Sequence, residues 1–235
     1  MESSPQQDIP RLLAFLVFAA LALVPLLTGD YWTGQATRYL LFGIFAMSLS
    51  LVWGRAGLLC FGQAMFFGAG GYGMAVLTLG VVGSGVLTAP WVALPAAVLS
   101  TAVFAALLGT FLFWGRGISG AYLAVVTLAI AVVLEQAVRG SYLLGADNGL
   151  VLVPPLPIGA DPWDPVPDYY FVLGLAAMIY FGLEWLLASR LGVILTAVRT
   201  DPRRLEFLGY SVAWIRVTAF VLGAVLAGLA GALFV

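Results

Sequence analysis

Histidine and lysine are absent from this chain of 235 residues, so all ten basic residues are arginines. A phosphate-binding loop of the Walker type needs a lysine, so the chain cannot itself hold ATP in that way. Proton relays and metal sites built on histidine are excluded for the same reason. The single cysteine, Cys60, excludes an intrachain disulfide and a CxxC pair, and its apolar surroundings predict a small buried side chain.

Charge is also scarce, with 9% charged and 63% hydrophobic residues. A soluble domain carries about 25% charged residues, and one of this size has too little interior to bury so much apolar side chain. The lipid bilayer must therefore be part of the solvent, where only helices or a closed barrel satisfy the backbone. Long unbroken apolar runs favour helices over barrel strands. We expect an all-α, polytopic transmembrane bundle that forms one domain over residues 1–235.

About seven runs are long enough to cross a bilayer, which takes roughly 20 mostly apolar residues. We interpret the first run as a retained helix, because a cleavable signal peptide needs a basic start and a small-residue cleavage site. The last run reaches the end of the chain without a polar cap, which predicts that further C-terminal spans are missing. The predicted spans cover residues 12–28, 38–54, 58–82, 89–114, 118–139, 168–188 and 212–235.

Arginines predict the orientation in the membrane, since they concentrate in cytoplasmic loops. Four of them fall in the segment 190–210, whereas the segment 140–167 holds Asp147, Asp161 and Asp164 and no basic residue. The first segment is therefore expected in the cytoplasm and the second outside. This orientation places the N-terminus inside, together with Arg11, Arg55 and Arg116, and leaves Arg38 and Arg139 near the outer side.

Five glycines fall between residues 62 and 73, inside the third run. In a membrane helix, glycine either lets another helix approach closely or marks a break whose backbone lines a cavity. The sequence leaves both interpretations open. If the helix is broken, backbone groups at Gly70 and Gly71 could bind a solute, with Gln63 and Tyr72 as nearby polar groups. Thr127 is a further candidate for a polar pathway.

The last run carries small residues at helical spacing, which favours tight helix packing. Gly223, Ala227 and Gly231 form one stripe, and Gly228 lies on a neighbouring one. Two acidic residues, Glu135 and Glu184, fall inside predicted spans, where an uncompensated charge is costly. We expect both to be paired near an interface, Glu135 with Arg139 four residues on.

The segment 190–210 predicts a short capped helix. Asp201 suits the N-cap and Pro202 the first helical position, and Gly209 suits the residue past the end. Leu205 and Leu208 are three apart, which would place them on one face. Arg203, Arg204 and Glu206 would surround that face. Such a helix can dock into a groove of a cytosolic protein, although an ordinary amphipathic loop has the same pattern.

Two stretches of the sequence, residues 51–74 and 189–233, resemble the permeases of branched-chain amino-acid ABC importers, in particular the LivM-like branch. The resemblance covers most of the chain from about residue 38. Its first part, in residues 51–74, consists of Gly54, Gly57, Phe61-Gly62-Gln63, Phe67-Gly68 and Gly70-Gly71-Tyr72, and Asp147 to Leu150 resembles a family loop. Its second part consists of Ser189-Arg190, Ala197-Val198-Arg199, Glu206 to Gly209, Ala219-Phe220 and Ala227 to Leu233.

The resemblance implies a transport subunit without catalytic residues or a cofactor. Its partners would be ABC ATPase subunits, a homologous permease, an external solute-binding protein and the lipid of the inner membrane, and none would be nucleic acid. It also implies a coupling helix that contacts the ATPase, with Ala197, Arg199, Asp201, Arg203, Arg204, Leu205, Glu206, Leu208 and Gly209. The alternatives are a urea or short-amide importer, an ion-coupled secondary transporter, a passive channel and a non-transporting scaffold.

Overall fold

The computed structural model describes residues 5–81, 85–114, 120–150, 153–154, 156–158 and 164–235. Arg116 and Asp161, which support the orientation argument, lie outside these residues, as does part of the predicted external loop. Within the described ranges every element of regular secondary structure is a helix, and none is a β-strand. The predicted all-α bundle is therefore confirmed.

Ten α-helices follow one another along the described chain. α3 continues into a π-helical turn at Ser50–Arg55, and single 3-10 turns lie at Gly85–Thr88, Tyr142–Leu144 and Ala146–Asn148. The helices are α1 Pro5–Ala22, α2 Val24–Leu27, α3 Asp30–Leu49, α4 Gln63–Thr78, α5 Pro90–Phe113, α6 Ala121–Arg139, α7 Pro165–Ala188, α8 Arg190–Thr200, α9 Pro202–Phe207 and α10 Val212–Phe234.

Five of these helices are long and apolar enough to cross a membrane, so the predicted count of seven is not confirmed. The five are α3 with its π-helical turn, α5, α6, α7 and α10. The first predicted span is divided, because α1 ends at Ala22 and α2 starts at Val24, after a one-residue gap and with Pro25 in its first turn. The third is shortened to α4, whose 16 residues span about 24 Å against a hydrocarbon core of about 30 Å.

α10 lies at the centre of the bundle. In its most apolar stretch 56% of the residues are buried inside the protein, against 17% in α6 and in α7. It runs parallel to α4, since Gln63 lies beside Gly223 and Gly71 beside Gly231. The exposed sides of α6 and α7 are largely apolar, with Leu128 and Val132 on α6 and Met178 and Trp185 on α7, as expected of helices that contact lipid. The tight interior of the protein is therefore built around α10.

α5 packs antiparallel to α4 and α10. Gly109 of α5 lies beside Phe220, near the start of α10, and Thr101 lies beside Gly228, further along it. The ring of Phe220 contacts Phe66 and Phe113 edge to face, and all three side chains are fully buried. These rings fill the core between the three helices.

α3 and α7 form the other side of the bundle. Leu41 and Ile44 of α3 pack with Val172 and Ala176 of α7. α1 lies against α7, where the Tyr169 hydroxyl donates a hydrogen bond to the carbonyl of Leu21 over 2.7 Å. We call the end of the bundle with α8 and α9 the α9 end, and the opposite end, with the connection from α6 to α7, the loop end.

Candidate functional site

Two side chains cap the helices of the α9 end. The Ser189 hydroxyl accepts a hydrogen bond from the backbone N–H of Leu191 at the start of α8. The Asp201 carboxylate accepts one from the N–H of Arg204 over 3.3 Å, and its second oxygen lies 2.8 Å from the guanidinium of Arg204. Gly209 has a left-handed φ of +84°, which ends the turn after α9. The short capped helix predicted from Asp201 and Gly209 is present.

The apolar surface that α9 exposes differs from the prediction. Leu205 is 5% exposed and packs against Val198 and Val212, whereas Leu208 is 76% exposed. The expectation of one apolar patch made of both leucines is therefore wrong, because Leu205 packs inward against the bundle and only Leu208, the C-cap residue of α9, is exposed. Phe207 is 91% exposed, and sequence reasoning missed it. Its signal was an aromatic residue inside a charged segment.

The charged residues of α9 surround this exposed apolar pair. Arg203, Arg204 and Glu206 are all exposed. Of the residues predicted to contact a partner, Ala197 is half-buried against the Val198 cluster. The surface available to another protein thus combines two apolar side chains with two guanidinium groups and one carboxylate.

Arg199, also predicted to contact a partner, is exposed, and it contacts the bundle through its own side chain. One of its guanidinium nitrogens donates a hydrogen bond to the carbonyl oxygen of Gly54. Its methylene groups cover Gly57, where a Cβ would lie 2.6 Å from the Arg199 Cγ. Gly57 has a φ of +67°, so glycine is required there both by the backbone and by the neighbouring side chain.

The glycines of α4 lie in a continuous helix that runs unbroken through Gly70 and Gly71. A Cβ at Gly70 would overlap the backbone carbonyl of Gly228, and one at Gly231 would overlap the carbonyl of Phe67. Of the two interpretations of this run, the structure supports close packing and has no break at Gly70. The interruption lies earlier, in residues 57–62, before α4 begins.

All four residues predicted for helix packing are buried in α10. A Cβ at Gly223 would overlap the side chain of Val52, and one at Gly228 would lie 2.7 Å from the Cγ2 of Thr101. Ala227 is fully buried in the core with Phe220. We call the contact of Gly70 and Phe67 with Gly228 and Gly231 the glycine seam.

Gln63 is buried at the start of α4, with 1% of its surface exposed. Its Nε2 donates to the Ser48 hydroxyl over 3.3 Å, and that hydroxyl donates to the carbonyl of Phe45 over 2.7 Å. The Gln63 Oε1 has no hydrogen-bond partner among the described residues. A buried acceptor without a donor costs about 1–3 kcal/mol, so this amide is a polar point inside an apolar core.

Thr127 fixes the chain just before α4. Its hydroxyl accepts a hydrogen bond from the N–H of Phe61 over 3.2 Å and donates one to the carbonyl of Leu123 over 2.8 Å. A Cβ at Gly62 would lie 2.5 Å from the Thr127 carbonyl oxygen, so glycine permits this close approach. The Thr127 hydroxyl therefore anchors a non-helical segment and does not face the groove described next.

A groove of about 250 Å³ lies beside the glycine seam, between α4, the end of α10 and the loop end. Its mostly apolar lining includes two of the predicted pathway residues, Gly71 and Tyr72, and not Gln63, Gly70 or Thr127. A Cβ at Gly149 would lie 3.9 Å from the Tyr72 hydroxyl, so the loop reaches the wall formed by α4. The lining residues are Phe67, Gly68, Gly71, Tyr72, Ala75, Gly149, Leu150, Gly231 and Val235.

The two glutamates predicted inside spans have polar partners. Glu135 and Arg139 form the predicted ion pair, with 2.7 Å between their charged atoms. Glu184 accepts a hydrogen bond from the Tyr180 hydroxyl over 3.5 Å. Among the described residues, no group of three acidic or cysteine side chains could hold a metal ion.

Comparison with known proteins gives the same family along almost the whole chain. Residues 32–235 match the family described as branched-chain amino acid transport system / permease component. Two proteins, each named high-affinity branched-chain amino acid transport system permease protein LivM, come from Salmonella typhimurium (strain LT2) and Escherichia coli (strain K12). Each is 31% identical to this chain over 248 residues.

The alignment covers 95% of this chain and 56% of each LivM protein, so the chain spans about half the length of the curated relatives it matches. No solved structure gives a significant match. The family match includes all but the first two residues of α3 and all of α4 to α10, and with them the glycine seam, the groove and the capped helix α9. The chain belongs to the family of permease components of branched-chain amino acid transport systems.

Proposed function

We propose that this chain is the membrane-spanning permease subunit of an ATP-driven importer for branched-chain amino acids or similar small solutes. It would work in the inner membrane beside a homologous permease, two ATPase subunits and an external solute-binding protein. The relatives' names and the family match support the transport role. ATP hydrolysis would be carried out by the separate ATPase subunits.

The distribution of arginine supports a cytoplasmic α9 end and a cytoplasmic N-terminus. Arg190, Arg199, Arg203 and Arg204 all lie in or beside α8 and α9, and Arg55 ends the π-helical turn nearby. The described part of the connection from α6 to α7 instead contains Asp164 and no arginine after Arg139. Arginine-rich loops remain in the cytoplasm, which would place α9 where an ATPase can reach it.

The observation that carries the proposal is the exposed surface of α9. Phe207 and Leu208 are 91% and 76% exposed, at the arginine-rich end of the bundle. A short helix with an apolar pair and flanking charges suits a groove on a second protein. Buried aromatic side chains and arginines contribute most of the binding free energy at such interfaces. Phe207 would be the anchor, with Arg203 and Arg204 at the rim.

The groove supports an aliphatic solute over urea. Its walls are glycine, aromatic and aliphatic side chains, and the Tyr72 hydroxyl is its polar side-chain group. An aliphatic side chain gains free energy when it leaves water for such a lining, about 0.8 kcal/mol per buried CH2 group. Urea has no apolar part that could gain from this lining, whereas an aliphatic amino acid would pack its side chain there and keep its ammonium and carboxylate groups in the water of the open groove. The groove would thus be part of the solute pathway near the external face.

Co-purification with the ATPase subunits tests the proposal. Phe207→Asp should weaken ATPase binding by about 2 kcal/mol or more, because it places a carboxylate in the apolar centre of the interface. Tyr142→Asp is the matched control, since Tyr142 is 95% exposed at the loop end. It should retain the ATPase. Equal ATPase recovery with both variants would contradict docking through α9.

A further inference from the structure

A non-helical segment of six residues, Gly57–Gly62, joins the π-helical turn of α3 to α4. We call it the α3–α4 linker. Its interior is tightly held: Leu58 and Cys60 are buried, and the N–H of Leu58 donates to the carbonyl of Val52 over 3.0 Å. Gly57, Leu59 and Phe61 are exposed, so the linker is held by the bundle at alternate residues.

Two other helices hold the two ends of the α3–α4 linker. Thr127 of α6 accepts the N–H of Phe61 at the end that leads into α4. Arg199 of α8 covers Gly57 at the opposite end and donates to the carbonyl of Gly54. The Arg199 side chain thus attaches α8 to this region, and its acceptor at Gly54 is 145 residues earlier in the sequence.

The Arg199 contact combines a hydrogen bond to a helix end with packing on a glycine. The carbonyl of Gly54 lies in the last turn of the π-helical segment, where carbonyl groups lack an intrahelical donor. A cation is also favoured at a helix C-terminus by the helix dipole. The methylene groups of Arg199 pack on Gly57, whose lack of a side chain leaves the space for them. One arginine therefore contributes both a hydrogen bond and an apolar contact.

A path of direct contacts follows from the exposed helix α9 to the groove. α9 continues directly from α8, and Arg199 lies two residues before the Asp201 cap. The α3–α4 linker leads into α4, which carries the glycine seam and the Tyr72 wall of the groove. A displacement of α8 would therefore reach α4 through the Arg199 contact, in addition to the contacts of α8 with α10.

We infer that Arg199 is a positioning residue that transmits movement of α8 and α9 to α4, rather than a residue that binds the ATPase. This inference rests on the proposed function. It revises the expectation that Arg199 lies at the partner interface. Its role is mechanical, because the guanidinium touches the backbone of this chain and its aliphatic part covers Gly57.

Transport and ATP hydrolysis measured together test the inference. In proteoliposomes with the complete importer, Arg199→Ala should retain the ATPase and its hydrolysis while lowering solute uptake per ATP by about tenfold. Arg199→Lys should recover most of the uptake, because it keeps the aliphatic stem and a charged donor for one carbonyl. Thr200→Ala is the control, since its exposed hydroxyl bonds only within α8. Release of the ATPase, or a parallel loss of uptake and hydrolysis, would overturn the inference.

Hydrogen exchange of the purified chain supplies a readout that needs no ATPase. Arg199→Ala should shift residues 57–62 to faster exchange, whereas Thr200→Ala should leave them unchanged. As a single substitution, Gly57→Ala should also speed the exchange of residues 57–62, because the new Cβ would lie 2.6 Å from the Arg199 Cγ. Added to Arg199→Ala, the same substitution should raise the exchange rate by a smaller factor, since the Arg199 Cγ is then absent. Unchanged exchange in Arg199→Ala overturns the linkage, whereas absent ATP-driven uptake by wild type overturns the proposed function.

Discussion

Single glycines determine how closely α4 and α10 approach each other. At Gly70 and Gly231 the missing Cβ would meet backbone carbonyls, whereas at Gly228 it would meet the side chain of Thr101. A side chain can rotate or shift, but a carbonyl inside a helix moves only with the helix. Association of helices in lipid depends on such close packing, because the hydrophobic effect does not drive one apolar helix against another there.

Alanine substitutions should follow this distinction. Gly70→Ala and Gly231→Ala should each destabilise the folded protein by more than the roughly 1–3 kcal/mol usual for overpacking, and Gly228→Ala should cost less. Gly174→Ala in α7 is the control, since a Cβ at that position would have no atom within 4 Å. Thermal unfolding in detergent measures the order. A similar melting temperature for Gly70→Ala and Gly174→Ala would contradict the glycine seam.

At the scale of the element, α4 and α9 show what a sequence can predict. The cap of α9 was predictable because Asp201, Pro202 and Gly209 act within a few residues of one another. The start of α4 was not predictable, since the linker before it is held by Thr127 and Arg199 from helices distant in sequence. Apolar runs reveal which segments enter the membrane, but tertiary hydrogen bonds decide where the helix inside a run begins.

α4 also forms one wall of the groove, so a side chain added there should affect transport without affecting the fold. Gly68 lines the groove, and no atom lies within 4 Å of a Cβ built on it. Gly68→Leu should therefore fill the groove and abolish most solute uptake while the protein folds normally. Gly174→Leu adds the same side chain to α7, also in open space, and should transport as wild type does. Normal uptake by Gly68→Leu would remove the groove from the pathway.

At the scale of the whole molecule, the two ends of the bundle differ in chemistry. The α9 end has a cluster of arginines and an exposed phenylalanine, and the loop end borders an apolar groove. The long helices between them expose apolar side chains, as the low charge content predicted. Composition, together with the long unbroken apolar runs, was enough to predict the helical bundle. The groove was not predictable, because it requires that the loop near Gly149 reach Tyr72 across the bundle.

The most direct test of the account is ATP-driven solute accumulation. Proteoliposomes that contain this chain with the proposed partner permease, ATPase subunits and binding protein should accumulate labelled leucine against its gradient when ATP is present. An ionophore that removes ion gradients should leave the accumulation intact, since an ion-coupled transporter is the rival that depends on them. Accumulation that survives ATP depletion and disappears with the ion gradient, or mere equilibration of leucine, would contradict the account.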